Sequence, residues 1–290
     1  MFTFKYVAPA TLKDAILLLS DAAGDAAPLA GGTDLINNIR MGTQSPKLVI
    51  LLRRVRELSG AIEEKPEGIL IGALATLSEI ARSASLRRNF PAIAEAANLI
   101  GSRQIRNRAT MAGNLCNASP AADTVPALLL YDAIVNLAGS GGRRSLPVAS
   151  FAHAPNQTCL RAGEIVESIF VPYLAAVPSS SCYLRFARRE GADLATVGVA
   201  ALATGTHEIR LALAAVAPTA FRAYEAENIL RQGVEDPAVW QLALAKVVSA
   251  ANPISDLRAS REYRLALIKH LTAEAVRCSL GRLKARGVRC

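Results

Sequence analysis

Two stretches of this chain gather small residues and hydrogen-bonding side chains at the same place, a combination that can hold an anion on main-chain N–H groups. The first is LAGGTDLI, Leu29 to Ile36, where Ala30, Gly31, Gly32, Thr33, Asp34 and Leu35 follow one another. Adjacent glycines let backbone approach a ligand closely, and the helix expected from TDLINNIR adds partial positive charge at its first turn. The second is ATMAGNLCNASPAAD, Ala109 to Asp123. Thr110, Asn114, Asn117 and Ser119 offer hydrogen bonds there, Gly113 and the alanines keep the backbone accessible, and Asp123 could accept from sugar hydroxyls. Arg103, Arg106 and Arg108 stand just before it. Phosphate suits such surroundings.

Neither stretch is specific by itself. The spacing is not the G-x-G-x-x-G of a dinucleotide fingerprint, nor the G-x-x-x-x-G-K-[ST] of a P-loop. A tight strand-to-helix turn explains the first stretch equally well, and a polar loop around an Asn-rich turn explains the second. The cysteines (Cys116, Cys159, Cys182, Cys278, Cys290) include no C-x-x-C pair, and His153, His207 and His270 lie far apart. This argues against a disulfide framework, a zinc site or an iron–sulfur cluster held by this chain. No nucleophile or acid–base pair stands out, so no catalytic residue and no metal ligand is assigned.

The elements that position these stretches follow from patterning. With 290 residues, 51% hydrophobic and 20% charged, the chain is long enough for two domains and too apolar for disorder. Thr11 with Asp14 predicts a helix ending near Gly24, APLAGG a short buried strand, and KLVILL a second strand, together a small α/β unit. The run from Leu58 to Ile71, broken by EEKPEG, predicts a hairpin. Thr76 with Glu79 predicts a helix through Ala84, and PAIAEAANLI another. TVPALLLYDA is expected to be helical, and AIVNLAG and RSLPV to be strands around a glycine turn. The stretch YLAAVPSSSC, with Pro178 and three serines, is the expected linker. Beyond it come strands in YLRFARR, LATVGVAALAT and IRLALAAVAP, then helices in AVWQLALAKVVSA and SREYRLALIKHLTAEAVRCSLGR. Strands followed by helices describe a separate α+β domain.

The net charge of +9 permits nucleic acid, a membrane surface or an acidic ligand as partner. Part of it is local: Arg277, Arg282, Lys284, Arg286 and Arg289 follow the last acid, Glu274, as at a solvated helix end. Aromatics are 5% of the chain and do not interleave with the arginines, so nucleic-acid binding is not expected. No apolar run reaches the roughly 18 residues that span a bilayer, so no transmembrane segment is expected. The first residues carry no secretory pattern, and a cytoplasmic location is expected.

Four segments taken together are similar to a known family. AGGTDL, IRNRATMAGNLCNASPAADTVPALL, FARREGADLATVGVA and SDLRASREYRLALIKHL resemble, in order, the flavoprotein (medium) subunit of the xanthine dehydrogenase and carbon monoxide dehydrogenase family of molybdenum hydroxylases. The resemblance implies an α+β chain: a two-part FAD-binding domain of the vanillyl-alcohol-oxidase (PCMH) type over 1–177, with subdomains of about 1–56 and 57–177. A C-terminal α+β domain of antiparallel sheet plus helices follows over 178–290. It implies non-covalent FAD. Ala30, Gly31, Gly32, Thr33 and Asp34 would form the first cradle for its diphosphate, with Leu29 and Leu35 on either side also at the cofactor, and Thr110, Ala112, Gly113 and Asn114 the second. Ser119 and Asp123 would lie near the ribityl or ribose hydroxyls, with Ile165, Arg185 and Asp193 completing the site. It also implies an electron-transfer role beside a large molybdenum-cofactor subunit and a small subunit with 2Fe-2S clusters, in a dimer of heterotrimers. Electrons would go on to NAD, a quinone or oxygen. The alternative is a flavin-free scaffold subunit.

Relatives usually carry T-[IV]-G-G-N where this chain has Thr110-Met111-Ala112-Gly113-Asn114. If residue 112 needs a positive φ, alanine costs on the order of 1 kcal/mol; if its φ is negative, the change is nearly silent. Arg185 falls where relatives often carry lysine, and keeps the charge but not the shape of an ammonium. Cys116 is expected to be a small buried residue, not a flavin attachment point.

Overall fold

The computed structural model describes residues 3–174, 177–189 and 191–287. The middle of the expected linker, residues 175–176, and Arg289 and Cys290 lie outside them.

The first unit is a three-stranded parallel sheet in the order β1-β3-β2. It is built from β1 (Lys5–Val7), α1 (Leu12–Asp21), β2 (Ala26–Leu29), α2 (Leu35–Met41) and β3 (Leu48–Leu51). Thr11 caps α1 by accepting from the Asp14 N–H at 3.1 Å, and Leu12, Ala15 and Leu19 bury one face of that helix against Ile50 and Leu52. The β1 strand was not expected, and β2 is half-buried, not buried.

The second unit is an antiparallel sheet in the order β4-β5-β10-β6-β7. Its strands are β4 (Ile62–Lys65), β5 (Gly68–Gly72), β6 (Ile134–Gly139), β7 (Gly142–Pro147) and β10 (Ile165–Pro172), beside a short β8 (Ala152–Ala154) and β9 (Gln157–Thr158) pair. Helices α3 (Leu77–Arg82), α4 (Ala84–Asn89), α5 (Pro91–Leu99), α6 (Arg103–Arg106), α7 (Met111–Cys116) and α8 (Thr124–Leu129) lie between β5 and β6 in sequence. Thr76 and Glu79 form a complete capping box at α3. The single helix expected through Ala84 is divided at Ser83, which caps α4. The stretch from Ala109 to Asp123 contains a helix, α7, where only a loop was expected.

The third unit is an antiparallel sheet of β11 (Ser179–Phe186), β12 (Val197–Thr204), β13 (Ile209–Ala214) and β14 (Phe221–Arg222). It is covered by α9 (Tyr224–Leu230), α10 (Pro237–Ala250) and α11 (Arg261–Ala285). The serines expected in the linker begin β11. Ser181 is buried there because its Oγ accepts from the Ala92 N–H and the Tyr131 hydroxyl, at 2.9 and 2.7 Å. All of β12 is buried. Strand residues alternate between faces, so Ala200 and Leu202 join the core of the second unit while Val199, Ala201 and Ala203 join the core under α9–α11.

Candidate functional site

The two small-residue stretches meet. After β2 the chain turns through Gly32, at φ +77°, and a β-carbon there would also press on the Leu29 side chain. At Gly31 a β-carbon would collide with the Arg108 carbonyl and with Cα of Ala109. Bare backbone at 31 is therefore what lets the first stretch lie on the second. Arg53, in the 3-10 turn after β3, fastens them together. Its Nε donates to the Ala30 carbonyl and its Nη2 to the Arg108 carbonyl, both at 3.1 Å. Burial, reinforced by the neighbouring Arg108 charge, lowers the Arg53 pKa.

The second stretch is stiffened locally. Thr110 caps α7 by accepting from the Gly113 N–H at 3.0 Å, and the Leu77 N–H bonds the Ala109 carbonyl at 2.9 Å beside a bridge between Thr76 and Thr110. The Thr124 hydroxyl donates to Asn114 Oδ1 at 2.7 Å. Ala112 stands in the first turn of α7 in right-handed helical backbone and is 6% exposed. Its methyl is unstrained, which removes the one observation that favoured a flavin-free scaffold.

Around this junction opens a cavity of about 920 Å³, at the upper end of the ~300–1,000 Å³ usual for small-molecule sites. Ala30, Gly31, Gly32, Thr33, Asp34 and Leu35 line it with Thr110, Ala112, Gly113, Asn114, Ser119, Asp123, Ile165, Arg185 and Asp193. Leu29 differs: among the described residues it packs on Gly32 and does not line the cavity. Nor do Arg103, Arg106 and Arg108. Arg106 donates to the Ile100 and Gly101 carbonyls, at 3.1 and 3.0 Å, and so shapes the loop before α6. The lining is therefore bare backbone and the first turns of α2 and α7, without those arginines. Burial raises the Asp34 pKa against an opposing hydrogen bond from Thr33. Cys116 borders the cavity and is half-buried, not buried, its pKa pushed up to about 12 chiefly by desolvation.

The third unit supplies one wall. Asp123 accepts from the Tyr183 hydroxyl at 2.6 Å and from Arg185 Nη1 at 2.9 Å. Both of its oxygens are thus engaged within the protein, where sugar hydroxyls were expected. Burial raises the Asp123 pKa, opposed by Arg185 and Tyr183. Asp193 lines the same cavity, 3.5 Å from Arg188. Arg53 and Tyr183 were not anticipated. Each acts on partners distant in sequence, and no local motif marks either. Among the described residues no cluster of three or more His, Cys, Asp or Glu could hold a metal ion, and no helix is long and apolar enough to cross a membrane.

A glycine turn with no room for a β-carbon, two helix starts and a cavity of this volume fit a dinucleotide diphosphate, and so fit FAD. The chain matches the FAD binding domain in molybdopterin dehydrogenase over residues 2–174 and the CO dehydrogenase flavoprotein C-terminal domain over residues 182–279. It is 32% identical to the putative xanthine dehydrogenase FAD-binding subunit XdhB of Escherichia coli (strain K12), covering 98% of this chain and 100% of that one. It is 31% identical to the carbon monoxide dehydrogenase medium chain of Hydrogenophaga pseudoflava, covering 96% and 98%. Among solved structures it is similar to carbon monoxide dehydrogenase from Hydrogenophaga pseudoflava, with a TM-score of 0.90 at 31% identity over 96% of this chain and 98% of that one. It is also similar to quinoline 2-oxidoreductase from Pseudomonas putida 86, with a TM-score of 0.87 at 28% identity over 96% of each. Fold and site together define an FAD-binding flavoprotein subunit. The chain belongs to the FAD-binding (medium) subunits of the xanthine dehydrogenase and carbon monoxide dehydrogenase family, oxidoreductases of the molybdenum hydroxylase type, and its cofactor is FAD.

Proposed function

We propose that the chain is the electron-transfer subunit of a heteromeric molybdenum hydroxylase. It takes electrons from a small 2Fe-2S subunit, supplied by a large molybdenum-cofactor subunit, and passes them to NAD, a quinone or oxygen. The assembly is a dimer of heterotrimers in the cytoplasm. Bound FAD supplies the means of accepting electrons singly and delivering them in pairs. The chain's residues bind and orient it. Residues 1–177 form the FAD-binding domain, with subdomains of about 1–56 and 57–177, and 178–290 the C-terminal domain. Ala30 to Asp34 and Thr110 to Asn114 hold the diphosphate, while Ser119, Asp123, Ile165, Arg185 and Asp193 border the rest of the cofactor.

The observation that carries this reading is the junction itself, where Gly31 lies on the Arg108 carbonyl and Arg53 ties both strands of backbone. The test is to purify the chain with its co-purifying subunits, record the visible spectrum and identify the flavin released on unfolding. Released FAD, together with bleaching when the partner's substrate is added without acceptor and recovery on adding acceptor, is the expected result. A colourless complex that takes up no added FAD would overturn the reading.

A further inference from the structure

Asp123, Tyr183 and Arg185 put a buried ion pair in the wall of the cofactor cavity. The Arg185 and Asp123 side chains are only 7% and 6% exposed, yet both border the cavity. The pair joins two units of the fold, because Asp123 precedes α8 and Arg185 lies in β11, one residue before its end. Arg185 is held at a second point, where Nη2 donates to the Gly191 carbonyl at 3.3 Å. Tyr183 is fixed in turn. Its N–H donates to Glu95 at 2.9 Å, and its hydroxyl fills the space that a β-carbon on Gly198 would need. Desolvating two charges costs several kcal/mol, and apolar side chains of equal volume often serve stability as well or better. Stability alone therefore does not account for an ion pair at this place.

We propose that Asp123 and Tyr183 are positioning residues that hold the Arg185 guanidinium as a fixed cation in the cavity wall, where it favours the reduced, more negatively charged state of bound FAD. The proposal rests on the FAD reading above. Nothing is transferred to or from the three side chains. The effect is electrostatic, and it is strong because the wall excludes most water and the cation is preorganised. Tyr183 takes one carboxylate oxygen and leaves the other to Arg185, which fixes the direction of the pair.

The test is the two-electron midpoint potential of FAD bound to the full chain, with FAD content measured in parallel, for Arg185→Gln, Arg185→Lys, Asp123→Asn and Tyr183→Phe. Arg185→Gln should lower the ratio of reduced to oxidised cofactor at fixed potential about tenfold, equivalent to a midpoint lower by ~30 mV. Arg185→Lys should recover part of that shift. Asp123→Asn discriminates best. Removing an anion by itself makes reduction easier, whereas releasing Arg185 makes it harder, so the proposal requires a lower midpoint. A raised midpoint in Asp123→Asn, or no shift in Arg185→Gln, overturns it. If either of those variants fails to fold or to hold FAD, Tyr183→Phe decides, because it preserves every charge. A lowered midpoint supports the proposal and an unchanged one defeats it. A wild-type chain without FAD would instead defeat the functional reading, a result distinct from wild type holding FAD beside unshifted variants.

Discussion

The carbonyl oxygen of Arg108 occupies the space that a β-carbon on Gly31 would need. Backbone, not a flexible side chain, is what a methyl would strike, so neither partner can yield cheaply. Gly31→Ala should therefore part the two halves of the cradle, at a cost typical of overpacking, ~1–3 kcal/mol. Titration with FAD should give a Kd raised about tenfold or more. Unaltered affinity would mean that the junction does not shape the site.

Arg53 makes two bonds to carbonyls on either side of that contact. Arg53→Met keeps much of the stem and removes both donors. Charged hydrogen bonds of this kind contribute ~1.5–3 kcal/mol, so FAD should bind roughly tenfold more weakly and the thermal midpoint should fall by a few degrees. Arg53→Lys should rescue little, because one ammonium does not reproduce the planar fork.

Ala112 departs from the usual glycine of the family, yet it occupies the first turn of α7. Restoring glycine there by Ala112→Gly should destabilise the chain by ~0.5–1 kcal/mol through backbone entropy. FAD affinity, measured by the same titration, should change less than about twofold. A large gain in affinity would show that the methyl crowds the ligand.

Glu164 accepts two bonds from Arg144 and one from the Arg161 N–H, each at 2.7 Å. Arg144, foremost, holds its carboxyl below the ordinary value of 4.5. A carboxyl depressed by folding contributes stability that is present above its ordinary pKa and is lost as pH falls through the folded value. Thermal midpoints taken from about pH 6 down to about pH 3 should therefore fall less steeply in Glu164→Gln than in wild type. The variant should also begin lower at neutral pH, by ~2 kcal/mol. Parallel curves would remove Glu164 from the acid response.

What could be read from the sequence was local. The capping signal of Thr11 and the box of Thr76 and Glu79 work because both partners lie three residues apart. The glycine pair at 31 and 32 declared itself by composition. Harder to see was β1, three mostly exposed residues that form a strand because they pair with β3. Likewise α7 contains glycine and asparagine, poor helix formers, and is held by its Thr110 cap and by the bridge to Thr76. The role of the three arginines before it was no easier to read. A charge announces itself in sequence, but Arg106 serves carbonyls a few residues away, while the arginine that ties the cradle, Arg53, sits at the end of a strand with no motif around it. The sign of φ at residue 112 depends on that same tertiary support.

The alternation along β12 governs how the molecule comes apart. Ala200 and Leu202 face the core of the second unit, and Val199, Ala201 and Ala203 the core under α9–α11, so a single strand is the inner wall of both. Loosening either side strips β12 of half its packing and carries the loss across. Heated in a calorimeter, the chain should show one endotherm, with van't Hoff and calorimetric enthalpies in agreement, instead of a peak for each of its two sequence families. The two family models meet between residues 174 and 182, and that join is not expected to divide the melting; two resolved endotherms would show that β12 does not couple its two cores.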